Sequence, residues 1–264
     1  MNKPDQIADA NAQWWEKMVA ENCGFTQPWL DLEREVLEQY AKGQLENVPK
    51  PLDEIYPPEI LADVAGKDVL CLASGGGQQS AVFGLLGANV TVVDITAGQL
   101  AGDRQAAEHY GYPVRTVQAD MRDLSALEDA CFDLVFQAPS MAYVPDVGPV
   151  YAEVGRVLRP GGLYRADAQH PVTQFVDTDV WDEGYRIHVP YGVRQVEQTG
   201  EGAREFRHYL DEIFNGLIAA GFMIRQVAEA PYHIRYDPDA EPGSWEHILM
   251  HVPWSFAIIV HKLS

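Results

Sequence analysis

A run of glycines at the end of an apolar segment is the clearest chemical feature of this 264-residue sequence. Val69–Ala73 reads as a buried strand, and Gly75-Gly76-Gly77 then leads into a helical pattern. Such a turn exposes backbone N–H groups at a helix N-terminus, and glycine allows a ligand to approach closely. Asp94 ends the next strand, where a carboxylate can accept hydrogen bonds from both ribose hydroxyls. A glycine triplet alone is typical of a tight turn, but the combination predicts a site for a ribose-bearing cofactor.

Two classes of cofactor fit this arrangement. Gly75-x-Gly77-x-x-Ser80 approaches the dinucleotide fingerprint, so a nicotinamide-dependent oxidoreductase is one reading. Against it, the core of the sheet contributes no lysine for a Tyr-Lys proton relay or a phosphate-binding loop. The only lysines are Lys3, Lys17, Lys42, Lys50, Lys67 and Lys262.

The glycine turn belongs to a regular alternation of predicted strands and helices. Strands are predicted at 68–73, 89–94, 114–119, 132–137, 162–167, 223–230 and 255–262, and helices at 78–86, 99–110, 147–158 and 204–220. Such alternation predicts parallel strands joined by right-handed crossovers. The fold class is therefore α/β, with the ligand expected at the carboxyl edge of a doubly wound sheet.

Near Pro57-Pro58, a Trp-rich region with helical patterns gives way to alternating strands and helices. This change sets the predicted domain boundary. Before it, Trp29, Leu32, Val36, Leu37 and Tyr40 recur at helical spacing and predict an amphipathic helix, and residues 11–19 predict a shorter one. We expect residues 1–58 to form an N-terminal helical cap or lid over a domain of residues 59–264.

The segment from Val69 to about Pro171 resembles the class I S-adenosylmethionine-dependent methyltransferases, in particular their bacterial small-molecule branch. Four stretches carry the resemblance: the glycine turn, Asp94-Ile95-Thr96 with Gln99, Gln118-Ala119-Asp120-Met121-Arg122, and Phe132–Phe136 followed by Val157-Leu158-Arg159-Pro160-Gly161-Gly162. The resemblance implies a Rossmann-like, doubly wound, seven-stranded mixed sheet whose last strand is antiparallel, with an N-terminal helical cap. It also implies S-adenosylmethionine as cofactor and S-adenosylhomocysteine as product.

The resemblance further implies a role for individual residues. In this family, the loop that corresponds to Asp94-Ile95-Thr96 and the start of the next helix contact the nucleoside. The resemblance implies that Asp120 meets the adenine amino group and that Met121 packs on the adenine ring. Gln137 and Ala138, after the fourth strand, are expected along the methionine part. The expected cofactor contacts are Ala73, Ser74, Gly75, Gly77, Gln78, Asp94, Ile95, Gln99, Asp120, Met121, Gln137 and Ala138.

Two positions depart from the pattern of this family. Cys71 stands where the family has Asp or Glu, and Ala73-Ser74 replace its Gly-Cys. An acidic hydrogen bond to the glycine turn is therefore expected to be missing. Cys71 itself reads as a buried apolar residue, because an inward strand position gives no reason for a reactive thiolate.

Methyl transfer from a sulfonium is an in-line displacement with an activated donor, so the protein must mainly align the acceptor and, where needed, remove a proton. His170, after the fifth strand, is the expected general base, although a histidine that only caps the strand end fits equally well. Tyr143, after the fourth strand, is expected to approach the acceptor. The expected substrate or lid residues are Trp14, Trp15, Tyr56 and His233.

Composition narrows the function classes. With 39 acidic and 19 basic residues the net charge is -20, which repels phosphate backbones and argues against nucleic-acid substrates. Three separated cysteines predict a cytoplasmic protein, and no apolar stretch is long enough to span a membrane. No cluster of histidines and cysteines indicates a metal site, so none is expected, and oligomeric state is not indicated.

The leading hypothesis is an S-adenosylmethionine-dependent methyltransferase that acts on an O, N or C atom of a small-molecule acceptor. An NAD(P)-dependent oxidoreductase is the first alternative. The second is a non-catalytic sensor that binds S-adenosylmethionine, which the departures at Cys71 and Ala73 suggest.

Overall fold

A computed structural model describes residues 5–49, 52, 54–187, 189–194, 197–199, 202–230 and 237–263. The strands of this part of the chain are β1 (Asp68–Leu72), β2 (Asn89–Asp94), β3 (Val114–Gln118), β4 (Phe132–Gln137), β5 (Leu158–Gln169), β6 (Val176–Asp177), β7 (Arg186–Ile187), β8 (Glu197–Thr199), β9 (Arg204–Phe206), β10 (Phe222–Ala230) and β11 (Ser255–Lys262). The α-helices are α1 (Gln6–Ala20), α2 (Arg34–Ala41), α3 (Gln79–Leu85), α4 (Ala97–Tyr110), α5 (Gly148–Val157), α6 (Leu210–Ala219) and α7 (Trp245–His251). Among the helices of these ranges, none is both long enough and apolar enough to cross a lipid bilayer.

Seven strands form one mixed sheet in the order β10-β11-β5-β4-β1-β2-β3. The pairs among β1 to β5 are parallel, whereas β11 is antiparallel to both β10 and β5. The predicted seven-stranded mixed sheet with an antiparallel last strand is thus confirmed. The strand order reverses between β1 and β4, and a doubly wound sheet opens its ligand crevice at such a switch point.

Two hydrophobic clusters cover the two faces of the sheet. Leu70 and Leu72 of β1 point into the cluster that contains α5 and α6, whereas Val69 and Cys71 point into the cluster that contains α3. This alternation follows from the two-residue period of a strand. Side chains of α2 and the side chains of Leu52, Ile55 and Leu61 belong to the second cluster, so much of the N-terminal segment shares the core of the sheet domain.

The helix predicted around Trp29 to Tyr40 is shorter in the structure, because α2 begins only at Arg34. The preceding backbone bonds elsewhere: the Trp29 amide donates to the Gly77 carbonyl (3.3 Å), and the Tyr110 hydroxyl bonds the Trp29 carbonyl and the Leu32 amide. The helix predicted at residues 11–19 is longer than expected, since the Asp5 carboxylate caps α1 at the Ile7 and Ala8 amides.

The predicted helix at 204–220 is wrong in its first part. Arg204–Phe206 forms β9, which pairs with β8, and α6 begins at Leu210. Asn11 of α1 explains the extended backbone, because its side chain accepts from the Arg204 amide (2.6 Å) and donates to the Arg204 carbonyl (3.1 Å). A contact from 193 residues away therefore overrides the local helical pattern.

Candidate functional site

A cavity of about 1080 Å³ opens at the carboxyl edge of the sheet, beneath α1 and α7. The first half of the cavity lies at the ends of β1 to β4, and the second half lies at the ends of β5, β10 and β11. Its described lining is Ala8, Asn11, Trp15, Phe25, Glu54, Ala73, Ser74, Gly75, Gln78, Gln79, Val93, Asp94, Ile95, Gln99, Ala119, Asp120, Met121, Arg122, Ala138, Pro139, Ser140, Tyr143, Val144, Asp167, Ala230, Asp237, Trp245, Glu246, Leu249, Met250, Trp254 and Ser255.

The glycine turn after β1 has an unusual backbone. Gly75, Gly76 and Gly77 have φ values of 42°, 76° and 81°, which is the left-handed region that glycine adopts readily. Ala73 also has a positive φ of 46°, at the position where the sequence departs from the expected glycine. This conformation costs an alanine about 1–2 kcal/mol, so the surrounding structure must hold the turn in place.

Asp94 lies beside the turn at the end of β2 and is buried. Its Oδ1 accepts hydrogen bonds from the amide (2.9 Å) and the hydroxyl (2.8 Å) of Thr96, and its carboxylate also accepts from the Gly75 amide. Burial raises the pKa of Asp94, and these hydrogen bonds oppose that shift. The residue lines the cavity at the end of β2, which is the position from which a carboxylate can accept hydrogen bonds from ribose hydroxyls.

A second carboxylate, which the sequence analysis missed, holds the other end of the turn. Asp103 of α4 is fully buried, and its Oδ1 accepts from the Gly77 amide (3.0 Å) and the Ser80 hydroxyl (2.5 Å). The acidic hydrogen bond that was expected to be missing at Cys71 thus comes from a helix instead of β1. Gly77 faces this helix and lies outside the described lining of the cavity, so its predicted cofactor contact stays a prediction.

Asp120 lies at the predicted adenine end of the cavity, but its carboxylate is engaged. Arg122 donates to it from Nε (3.0 Å to Oδ1) and Nη2 (2.5 Å to Oδ2), and Arg122 Nη2 also bonds Asp5 at the start of α1 (2.7 Å). A carboxylate oxygen has two lone pairs, so Asp120 can still accept from an adenine amino group. The pairing ties the adenine loop to α1.

Gln137, for which a cofactor contact is predicted, lies outside the described lining of the cavity. It is fully buried below the described lining, where its Nε2 donates to Ser140 Oγ (2.9 Å) and its Oε1 accepts from the Tyr164 hydroxyl. Ser140 itself lines the cavity, as do Ala138 and Met121. Gln137 therefore positions the loop after β4 from beneath.

The remaining polar groups of this half fit a nucleoside cofactor. Ser74 Oγ, Gln79 Oε1 and Gln99 Oε1 are buried lining atoms without a hydrogen-bond partner among the described residues. Buried polar atoms are normally paired, so such a group at a cavity wall indicates a ligand or water that completes it. Together with Asp94 and the turn, these residues would hold the ribose and the amino-acid part of S-adenosylmethionine. Ile95 lines the same wall, and Gln78 reaches from it to the Gly24 and Gln27 carbonyls (3.0 Å each).

Tyr143 lines the cavity between its two halves, as expected. Its ring packs edge-on against Trp15 with centroids 5.7 Å apart, and its hydroxyl donates to the Glu205 carboxylate. Burial raises the pKa of Tyr143 well above its usual value, and nearby Glu205 raises it further. Tyr143 is therefore protonated at neutral pH and can orient an acceptor by hydrogen bonding.

His170 is placed outside the described lining of the cavity, which argues against the expected role of general base. Its Nδ1 accepts from the Val172 amide (3.2 Å), and its Nε2 lies 3.7 Å from the Glu229 carboxylate on β10. Burial lowers its pKa. His170 caps the short turn after β5, which is the structural alternative considered for it.

The expected lid residues separate into two groups. Trp15 lines the cavity, whereas Trp14 packs next to Gly202, where an added Cβ atom would lie 3.0 Å from its ring. Tyr56 lies outside the described lining, and its carbonyl accepts from Arg165 Nε (2.8 Å). His233 falls outside the described residues.

α7 lies in a link for which no helix was predicted. Trp245, Glu246, Leu249 and Met250 line the cavity, and the Trp245 ring packs edge-on against Trp254 with centroids 4.5 Å apart. On the other side of the helix, His247 and His251 pack against Trp181. The helical spacing of Trp245, Leu249 and Met250 is the feature of the sequence from which α7 could have been predicted. Within the described ranges, no group of three or more His, Cys, Asp or Glu side chains could hold a metal ion.

Comparisons with known proteins agree with this geometry. Residues 70–166 match a family model described as a methyltransferase domain. The chain is 34% identical over 226 residues to the uncharacterized methyltransferase YbaJ of Bacillus subtilis, covering 81% of this chain and 87% of that protein.

Two solved structures share the fold at low sequence identity. The 1,6-didemethyltoxoflavin-N1-methyltransferase of Burkholderia thailandensis, with 1,6-didemethyltoxoflavin and S-adenosylhomocysteine bound, has a TM-score of 0.63 at 17% identity. The match covers 100% of this chain and 92% of that chain. The geranyl diphosphate C-methyltransferase of Streptomyces coelicolor has a TM-score of 0.62 at 15% identity and covers 99% of each chain. The chain belongs to the class I S-adenosylmethionine-dependent methyltransferases, and its cofactor is S-adenosylmethionine.

Proposed function

We propose that the protein transfers a methyl group directly to an O, N or C atom of a small molecule bound in the second half of the cavity. The extent of the cavity carries this proposal, since its lining continues from the residues around the glycine turn to β5, β10, β11 and α7. Single ligands commonly occupy pockets of about 300–1,000 Å³, so a cavity of about 1080 Å³ has room for a small acceptor beside the cofactor.

The chemistry of the second half supports an acceptor with a flat or apolar body. Its aromatic lining residues are Tyr143, Trp245 and Trp254, and Leu249 and Met250 add apolar surface. Aromatic side chains bind such molecules by stacking and by burial of apolar area. The names of the two similar structures, which specify 1,6-didemethyltoxoflavin and geranyl diphosphate, support the proposal by analogy of fold only.

The residues of the chain have a limited task in this reaction. When bound, S-adenosylmethionine supplies a methyl group on a sulfonium that needs no further activation. Asp94 and the glycine turn hold the nucleoside, and Tyr143 orients the acceptor toward it. Burial raises the pKa of Glu205, which accepts the hydrogen bond of the Tyr143 hydroxyl from outside the described lining. Where the acceptor must lose a proton, the acceptor would give it to the Tyr143 oxygen as Tyr143 passes its own proton to Glu205.

We propose that α1, within the predicted cap of residues 1–58, acts as the lid. Polar contacts fasten it over the cavity: Asp5 to Arg122 (2.7 Å), Glu16 to the Gly98 amide (3.1 Å), and Asn11 to the Tyr143 carbonyl (3.1 Å) and to the Arg204 backbone. Asn11 is buried, but the contacts of Asp5 and Glu16 are partly exposed and can break without disturbing the core that α2 shares. A closed lid excludes water from the transfer.

The function is tested by incubating the full chain with S-adenosylmethionine and a panel of small aromatic and apolar compounds that carry hydroxyl, amine or acidic C–H groups. Mass spectrometry detects S-adenosylhomocysteine and any methylated product. We expect one chemical class to yield both in equal amounts. If the protein binds the cofactor but methylates no compound with a hydroxyl, amine or acidic C–H group, the result would instead support the non-catalytic sensor.

A substitution in the second half of the cavity tests where the acceptor binds. With an acceptor from the screen, we expect Trp245→Ala to raise KM about tenfold, because a lost aromatic contact costs about 1.4 kcal/mol. The affinity for S-adenosylhomocysteine should change less than twofold, since Trp245 lies on the side opposite β1 and β2. Trp14→Ala is the matched control and should change neither quantity. An unchanged KM in Trp245→Ala would contradict the assignment of this half.

A further inference from the structure

The glycine turn is held at both ends by carboxylates. Asp94 accepts from the Gly75 amide, and Asp103 accepts from the Gly77 amide and from Ser80. The turn has no side chains of its own between these points that could hold its shape. Its conformation therefore depends on the groups that bond its amides.

Helix α4 contacts the turn backbone to backbone. A Cβ atom on Gly77 would lie 2.8 Å from the Gly102 carbonyl carbon, and a Cβ atom on Gly102 would lie 2.6 Å from the Gly76 oxygen. This contact brings the next residue of the helix, Asp103, against the Gly77 amide. Asp103 Oδ2 has no hydrogen-bond partner among the described residues. The hydrogen bonds of this carboxylate within the described chain are therefore those that Oδ1 accepts from the Gly77 amide and the Ser80 hydroxyl.

We propose that Asp103 is a positioning residue that holds the glycine turn in the shape that binds S-adenosylmethionine. The inference concerns the cofactor site and does not depend on the identity of the acceptor. The neighbouring thiol on β1 cannot take this role as an anion, because burial raises the pKa of Cys71 well above its usual value. An ionised carboxylate accepts amide hydrogen bonds more strongly than a protonated one.

A pH dependence follows from the burial of this carboxyl. Burial raises the pKa of Asp103 to about 7. The groups that face it are Asp94 on β2, Arg104 on α4, Cys71 on β1 and Tyr112 after α4. Burial raises the pKa values of Cys71 and Tyr112 and so keeps both groups neutral. Burial also raises the pKa of Asp94, which makes Asp94 the other carboxyl whose titration has to be separated from that of Asp103. The cofactor affinity should therefore fall as pH drops from 8 to 6.

The stability of the free protein should change with pH in the opposite direction. The folded protein retains the Asp103 proton up to about pH 7, whereas an unperturbed carboxyl releases it near 3.8. This carboxyl therefore makes folding less favourable as pH rises from about 4 to 7. Removing its charge at pH 8 should raise the Tm of the free protein while it weakens cofactor binding. A purely structural residue would lower both.

The test is calorimetric titration of S-adenosylhomocysteine at pH values from 6 to 8.5, with the Tm of the ligand-free protein measured in parallel. We expect the wild-type affinity to fall about fivefold to tenfold from pH 8 to 6. Asp103→Asn should bind about tenfold more weakly at pH 8, lose most of this pH dependence, and melt no lower than wild type. The exposed Asp123→Asn is the matched charge control and should behave as wild type.

Two results would overturn the proposal. One is an Asp103→Asn protein with the wild-type affinity at pH 8 and the wild-type pH profile, which would assign the pH dependence to Asp94. The other is an affinity of the wild-type protein that does not change between pH 6 and 8.

Discussion

Replacing Asp94 with Ala is expected to weaken binding of S-adenosylhomocysteine by about 100-fold to 1,000-fold. Hydrogen bonds to a charged group contribute about 1.5–3 kcal/mol each, and a carboxylate that accepts from two ribose hydroxyls would lose both. Two such bonds at the lower end of this range amount to about 3–4 kcal/mol, which converts to the stated range of affinity. The substitution also frees Thr96 and the Gly75 amide, which Asp94 now holds. Calorimetric titration of the purified variant measures the effect.

Two further variants separate the causes of this loss. Asp94→Asn keeps the shape of the side chain and one acceptor oxygen, so its affinity should lie between those of Asp94→Ala and the wild type. Asp63→Ala removes one exposed carboxylate far from the turn and should bind as the wild type does. Wild-type affinity in Asp94→Ala, with a normal circular dichroism spectrum, would show that the nucleoside is not held at the end of β2.

Gly77→Ala is expected to abolish measurable cofactor binding and to lower the Tm strongly. The added Cβ atom would lie 2.8 Å from the Gly102 carbonyl carbon and closer still to its oxygen. Since both partners are backbone, the clash can be relieved only by moving the turn away from α4, which would break the Gly77–Asp103 hydrogen bond. Thermal melting and titration with S-adenosylhomocysteine test the two effects separately.

Gly87→Ala is the matched control for backbone strain. Gly87 has a φ of 87°, close to the 81° of Gly77, but a Cβ atom there would meet its nearest neighbour at 3.7 Å. Strain without a clash should cost about 1–2 kcal/mol of stability and leave cofactor binding unchanged. Equal effects of the two substitutions would show that the contact between the turn and α4 is not what positions the turn.

Features that depend on neighbouring residues could be predicted from the sequence. β2, β4 and β11 have the predicted bounds, because each is a short apolar run with clear ends. The turn at Gly75 and the carboxylate of Asp94 were recognisable because each occupies the end of such a strand.

Features that depend on packing between distant segments could not be predicted in the same way. Asp103 is one acid among many in an acidic chain, and only the contact between α4 and the turn gives it a role. The extended backbone at Arg204 requires Asn11, and the different positions of Trp14 and Trp15 depend on the rotation of α1 over the cavity. The surroundings of His170 could not be predicted for a related reason, since its strand end lies at the carboxyl edge of the sheet but its ring bonds the local backbone.

The most direct test of the account is calorimetric titration of the full chain with S-adenosylhomocysteine and, separately, with NAD and NADP. The account predicts one site with micromolar affinity for S-adenosylhomocysteine and no detectable binding of either nicotinamide. Nicotinamide binding without S-adenosylhomocysteine binding would contradict the assignment of the glycine turn, Asp94 and the cavity to a methyl donor.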